Sequence, residues 1–262
     1  MKISIIGAGA MGGAIAEGLI KGDYIQNEDI RVSDPSAETC KHFADRGITA
    51  TPSNQLAAQG ADVVCVVVKP WLVQQVLTGL RDVLDYERQV LVVVAAGVQS
   101  ADIAAWLSKD DRMIPTFLVI PNIAIAQLQS MTFIVPAIAA EPRHTEQVKT
   151  LFDTMGQSLI TDEQHLAAGT TLASCGIAYA MRYIRAASEG GVELGFKADD
   201  AKHIVMQTLR GAVELLADSG LHPEAAIDLV TTPGGVTIKG LNEMEHAGFS
   251  SAVIRGLKAG AK

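Results

Sequence analysis

Two short stretches carry residue types at spacings that do chemistry, and neither is a charged catalytic pair. The first is Gly7-Ala8-Gly9-Ala10-Met11-Gly12-Gly13. Glycines spaced this way between a strand and a helix bind a pyrophosphate. Gly7 permits a tight turn, Gly9 lets the backbone approach the phosphates, and Gly12 lets the helix pack closely on the preceding strand. The free N–H groups at that helix start, with the positive end of its dipole, face the anion. The second stretch is Thr231-Thr232-Pro233-Gly234-Gly235-Val236-Thr237. Its adjacent glycines expose backbone N–H groups ahead of a helix, a setting for a small carboxylate. The hydroxyls of Thr232 and Thr237 remain for a reacting atom. An ordinary loop, with Thr237 merely capping the helix, fits this stretch equally on residue types alone.

The elements around the first stretch repeat. Apolar runs at Ile3-Ser4-Ile5-Ile6, Ile30-Arg31-Val32-Ser33, Ile48-Thr49-Ala50, 62–68, 90–94, 113–119, 131–135 and Ser158-Leu159-Ile160 read as strands. Helical patterns separate most of them, which makes an α/β doubly wound parallel sheet. The run Val63-Val64-Cys65-Val66-Val67-Val68 is apolar throughout, as suits a central strand buried on both faces. It ends in Lys69-Pro70, and the run at 90–94 ends in Ala95-Ala96-Gly97. Such strand ends are where open sheets bind ligands. Asp34 closes the second strand, roughly 20 residues past the glycines, where an acid binds a ribose 2′-hydroxyl. With Pro35 after it, Asp34 also fits a helix start. Ser33 and Ser36, with Arg31 nearby, fit a 2′-phosphate instead, so the choice between NAD and NADP stays open.

Beyond residue 161 the strand pattern stops. One long helix is expected from Thr161 or Asp162 to Glu189, with a break at Gly190-Gly191. A second should bury the stripe Ala201, Ile204, Val205, Thr208, Ala212, Leu215 and Leu216 and end at Gly220. Pro223 starts a third, and a last helix should run from Ile238 towards Lys258. This divides the chain into a dinucleotide-binding domain, 1–161, and an all-α domain, 162–262.

The composition narrows the function classes. The chain has 262 residues, 48% hydrophobic and 19% charged, a globular balance. A net charge of −8 argues against a nucleic-acid partner, which needs a basic face. Three scattered cysteines, Cys40, Cys65 and Cys175, form neither a metal spacing nor a disulfide framework, which fits a reducing cytoplasm and no metal. No apolar run is long enough for a membrane span, and the first strand begins too early to follow a signal peptide.

Taken together, the glycine turn, Lys69-Pro70, Ala95-Ala96-Gly97, Pro121-Asn122, the 231–237 loop and Gly240-Leu241-Asn242-Glu243-Met244-Glu245 resemble the Δ1-pyrroline-5-carboxylate reductases over essentially the full chain. The resemblance implies a Rossmann-type domain followed by an all-α C-terminal dimerisation domain. It also implies reduction of a cyclic imino acid to proline with NADPH or NADH, and a homodimer or a higher ring assembly. Carried over by position, Gly7, Gly9, Ala10, Met11 and Gly12 hold the pyrophosphate. Ser33, Asp34, Pro35 and Asn54 flank the adenosine end, while Val68, Lys69, Pro70, Ala95, Ala96 and Gly97 line the nicotinamide side. Asn122, Thr232, Gly234 and Gly235 bind substrate, and Thr237 meets the imine nitrogen.

Two segments depart from the family's pattern. Its central loop usually reads Arg-Val-Met-Pro-Asn-Thr-Pro, and here it is Leu118-Val119-Ile120-Pro121-Asn122-Ile123-Ala124. Its Ser-Gly-Ser-Gly-Pro-Ala-Tyr is here Ala173-Ser174-Cys175-Gly176-Ile177-Ala178-Tyr179. A reductase of a different cyclic imine and a non-catalytic NAD(P)-binding protein are the alternatives. A β-hydroxyacid dehydrogenase is disfavoured, because no lysine lies between Thr161 and Gly195. His165 is read as structural.

Overall fold

The computed structural model describes residues 1–109 and 112–261. Eight strands form one sheet: β1 (Ile3–Ile6), β2 (Ile30–Ser33), β3 (Thr49–Thr51), β4 (Val63–Val66), β5 (Val90–Val93), β6 (Thr116–Ile120), β7 (Ser130–Pro136) and β8 (Gly156–Ile160). Their order is β3-β2-β1-β4-β5-β6-β7-β8, so the direction of winding switches between β1 and β4. Helices α1 (Ala10–Gly22), α2 (Ala37–Ala44), α3 (Asn54–Ala58), α4 (Pro70–Leu80), α5 (Ser100–Leu107) and α6 (Pro142–Asp153) fill the connections.

Strand alternation sends side chains to two cores. Ile3, Ile5, Val63 and Cys65 pack with α1, α2 and α6 through Ile15, Leu19, Phe43 and Phe152. Ile6, Val64 and Val66 pack with α4 and α5 through Val73, Leu77 and Ile103. Burial pushes the Cys65 thiol up to about 12, so it stays a neutral core residue.

The sheet is not wholly parallel, which corrects one expectation. β7 runs antiparallel to β6, with Ile120 opposite Phe133. The connection 121–129 holds only a 3₁₀ turn, Ile123–Gln127, and a parallel return needs a longer crossover.

Contacts divide the chain into two compact units, Met1–Ser174 and Cys175–Lys262, later than the sequence boundary at 161/162. The reason is local. The Glu163 carboxylate accepts from the N–H and hydroxyl of Ser100, at 2.8 and 2.6 Å. Helix α7 (Leu166–Gly169) places Gly169 where a Cβ would lie 2.9 Å from the Phe133 ring. In place of one long helix from 161, this segment contains a 3₁₀ turn, α7 and a π-helical turn, Thr170–Cys175.

The second unit contains α8 (Gly176–Glu193), α9 (Ala198–Ser219), α10 (Pro223–Leu229), α11 (Val236–His246) and α12 (Phe249–Gly260). Gly190-Gly191 is not a break. α8 continues through it, because Gly191 lets Ala201 of α9 approach to where a Cβ would be 2.9 Å away. The last helix is two, separated at Gly248 with φ +83°. The expected α9 stripe is not buried by the chain itself: Ala201 is buried, but Ile204 is 45% and Leu215 71% exposed. Among the described residues no helix is long and apolar enough to cross a membrane.

Within the first unit, α1 lies hard against the 121–129 loop. A Cβ on Gly18 would sit 2.6 Å from the Ile125 carbonyl oxygen and 3.0 Å from Met155 Sδ. Gly18→Ala is therefore expected to destabilise the protein by about 1–3 kcal/mol in thermal or urea unfolding. Gly79→Ala, where a Cβ meets nothing within 4 Å, should be neutral or stabilising. Equal effects of the two would contradict this packing.

Candidate cofactor and substrate sites

The glycine turn follows β1, with the ends of β2 and β4 beside it. Gly7 has φ +89°, and a Cβ there would lie 2.4 Å from the Val67 carbonyl oxygen. At Gly12 a Cβ would come within 1.8 Å of the Gly7 carbonyl oxygen. Both positions therefore exclude any side chain. Gly9 differs: a Cβ there meets nothing within 4 Å, so its face is open. Gly9 caps α1 without a side-chain hydrogen bond, leaving the N–H groups of Ala10, Met11 and Gly12 to a ligand. An open glycine beside an uncapped helix start fits a pyrophosphate.

A cleft of about 470 Å³ continues from this turn, lined by Gly7, Pro35, Asn54, Val68, Leu72 and others. Of the adenosine-side residues, Pro35 and Asn54 line it, and the expectation for Ser33 is corrected. Ser33 is fully buried, and its hydroxyl donates to Asn54 Oδ1 at 2.7 Å. Ser33 thus holds Asn54 in place and is closed to a ribose or 2′-phosphate.

Asp34 is held at both oxygens. Oδ2 accepts from the Ala8 N–H of the glycine turn and Oδ1 from the Ser36 N–H, each at 2.9 Å. Ser36, not Asp34, caps α2, accepting from the Thr39 N–H. The neighbouring cations are committed elsewhere. Arg31 donates to the Gln59 carbonyl at 2.5 Å, and Lys41 pairs with Asp45. Arg46 and His42 both bond to Glu17 of α1. Partial burial raises the Glu17 pKa, but the hydrogen bonds from Arg46 and His42 outweigh it and hold the carboxyl below its usual range.

On the other side of the switch point, Lys69 precedes Pro70, the first residue of α4, and is exposed at the end of the β4 segment. Beyond β5, Ala95 is buried while Ala96 and Gly97 are exposed, Gly97 with φ +79°. Small residues there leave the backbone open to a flat ring.

Asn122 departs from its expected role. It is 4% exposed, and its Oδ1 caps the 3₁₀ turn by accepting from the Ala124 N–H at 3.0 Å. In this structure it is buried and supports the loop. His165 is exposed and pairs with Asp162 at 2.7 Å. That bond is the main cause of the lowered Asp162 pKa.

In the second unit, the turn ahead of α11 has Gly234 at φ +71°. A Cβ on Gly235 would lie 2.4 Å from Thr232 Oγ1 and 3.0 Å from the Thr232 carbonyl oxygen, so a side chain there would force that threonine to shift. Gly235 caps α11 with no side-chain bond. The N–H groups of Val236, Thr237 and Ile238 are open, and Thr237 is exposed in the first turn. The turn thus leaves helix-start N–H groups with a threonine hydroxyl beside them, an arrangement that fits a small carboxylate.

Comparisons with known proteins agree with both halves. Residues 163–262 match the family described as pyrroline-5-carboxylate reductase dimerisation. Residues 2–97 match NADP oxidoreductase, coenzyme F420-dependent. The chain is 36% identical to pyrroline-5-carboxylate reductase 1 of Dictyostelium discoideum over 97% of its own length but 48% of that protein, so it spans about half of that relative. It is 33% identical to pyrroline-5-carboxylate reductase 2 of the same organism, over 100% of this chain and 91% of that one. The pyrroline carboxylate reductase of Plasmodium falciparum, solved with NADP bound, superimposes with a TM-score of 0.89 at 22% identity, over 100% of this chain and 95% of that one.

A carboxylate held at both oxygens by backbone N–H groups favours a 2′-hydroxyl over a 2′-phosphate. NADH should bind more tightly than NADPH in a fluorescence titration. Asp34→Asn should move the ratio towards NADPH by about tenfold, corresponding to about 1.4 kcal/mol. An unchanged ratio would place the 2′ group away from Asp34.

Proposed function

The chain belongs to the pyrroline-5-carboxylate reductase family, and on that premise we propose that it reduces 1-pyrroline-5-carboxylate to L-proline with NADH or NADPH. The single observation that carries the residue-level reading is the uncapped start of α11, with Gly234, Gly235 and Thr232 around it and Thr237 exposed in its first turn. The N–H groups there hold the substrate carboxylate, which also neutralises the helix end. Thr237 then receives the ring nitrogen. The protonated imine donates to the Thr237 hydroxyl oxygen, and that contact steadies the electrophilic form.

Gly7, Gly9, Ala10, Met11 and Gly12 bind the pyrophosphate, and Asp34, Pro35 and Asn54 the adenosine end. Val68, Lys69, Pro70, Ala95, Ala96 and Gly97 flank the nicotinamide. Once bound, the reduced nicotinamide supplies the hydride that the imine carbon takes. The residues supply placement rather than acid–base chemistry, which suits a candidate site with no buried His–Asp pair among the described residues. Functionally, 1–161 binds the cofactor and 162–262 the substrate, although the compact units part after Ser174.

The second part also carries the homodimer. Leu215 and Leu229 are more than two-thirds exposed, and a second copy is the covering their family implies. A ring built from such dimers extends the same reading. Free Cys40, Cys65 and Cys175 fit a reducing cytoplasm. A reductase of another cyclic imine is the second reading, favoured by the altered loop Leu118–Ala124.

Thr237→Ala should lower kcat by about 10- to 100-fold, as expected for losing a hydrogen bond to a charged group, while leaving NADH affinity unchanged. Thr237→Ser should retain most turnover. NAD(P)H oxidation at 340 nm reads both, and an unchanged kcat in Thr237→Ala would remove Thr237 from the reaction.

A further inference from the structure

Two elements line the cleft that continues from the glycine turn. One face of α4 contributes Leu72, Gln75, Val76 and Gly79, at helical spacing, while Val73, Leu77 and Leu80 of the same helix are buried in the core. The start of α3 contributes Pro52 to Gln55. Gln55 ties the two elements together, since its Nε2 donates to the Gly79 carbonyl at 3.0 Å. Pro35 also lines the cleft, next in sequence to Asp34, whereas no residue of 95–97 does. A ribose bound at Asp34 therefore has this cleft beside it for its base. Prolines and aliphatic side chains with a few polar groups suit a flat heteroaromatic ring.

Most of those polar groups are already committed. Ser53 Oγ accepts from the Leu56 N–H at 3.3 Å and caps α3. Asn54 Oδ1 is taken by the buried Ser33, which leaves only the Nδ2 donors of that amide. Gln55 is held through its Nε2. Gln75 differs: it is exposed and makes no hydrogen bond among the described residues. Its whole carboxamide, an acceptor beside two donors, remains for a ligand.

We propose that Gln75 is a specificity-determining residue that reads the N6–N7 edge of the cofactor's adenine, so that the protein selects adenine dinucleotides over those carrying another purine. This rests on the cofactor placement above and specifies which base that site takes. A carboxamide meets adenine through two bonds: its oxygen accepts from the N6 amino group, and its N–H donates to N7. Hypoxanthine carries an oxygen at position 6 instead. Facing that oxygen and N7, two acceptors, the carboxamide keeps one bond and sets its own oxygen against the other acceptor.

The test is a fluorescence titration of the whole chain with NADH and with reduced nicotinamide hypoxanthine dinucleotide. Wild type is expected to bind NADH about tenfold more tightly. Gln75→Met keeps the length of the side chain and loses the amide. It should weaken NADH by about tenfold and bring the ratio of the two affinities to about one, with thermal unfolding unchanged because the position is exposed. Gln75→Leu should give the same ratio. Equal affinity of wild type for the two cofactors, or a wild-type ratio in both variants, would overturn the proposal and leave the cofactor placement standing. A wild type that binds neither cofactor would overturn that placement and this proposal with it.

Discussion

Among the described glycines, Gly12 leaves the least room for a side chain, where α1 meets the turn that launches it. A Cβ there would lie 1.8 Å from the Gly7 carbonyl oxygen, so the helix start and the strand end meet backbone to backbone. That contact aims the first N–H groups of α1 at one point beyond β1. It also sets the rest of the helix. Farther along, Gly18 rests on the Ile125 carbonyl, and Glu17 holds Arg46 and His42 at the end of α2. One helix, seated by two glycines, thereby fixes the phosphate end, the α2 side and the 121–129 loop together. The Asp34 bond to the Ala8 N–H closes the same turn from β2.

Much of this was legible before any coordinates. Glycine spacing between an apolar run and a helix has few other uses, and the unbroken valines of β4 require burial on both faces. The turn at 232–237 ahead of a helix was legible too, since paired glycines before a helical pattern mark a helix start. What escaped depended on partners distant in sequence. Met131–Val135 reads as a strand in either direction, and only the shortness of 121–129 forces it antiparallel. Gly190-Gly191 looks like a stop until Ala201 is seen against it. Ser33 and Asn122 were assigned to ligands by position, but burial gives them to Asn54 and Ala124 instead.

The two units illustrate different sources of stability. The first is a three-layer α/β structure with both sheet faces covered, and its cores are complete within the chain. In the second, the helical period of α9 is plain in the sequence, yet most of its apolar stripe lies open in the single chain. Periodicity reveals which face of a helix is apolar but not what covers it.

The central claim is a hydride delivered to an imine carbon. The most direct test supplies NADH carrying deuterium at both C4 positions with 1-pyrroline-5-carboxylate and analyses the product by NMR and mass spectrometry. The account predicts L-proline with one deuterium on C5, the former imine carbon. Cofactor oxidation without proline, or proline without the label, would contradict it.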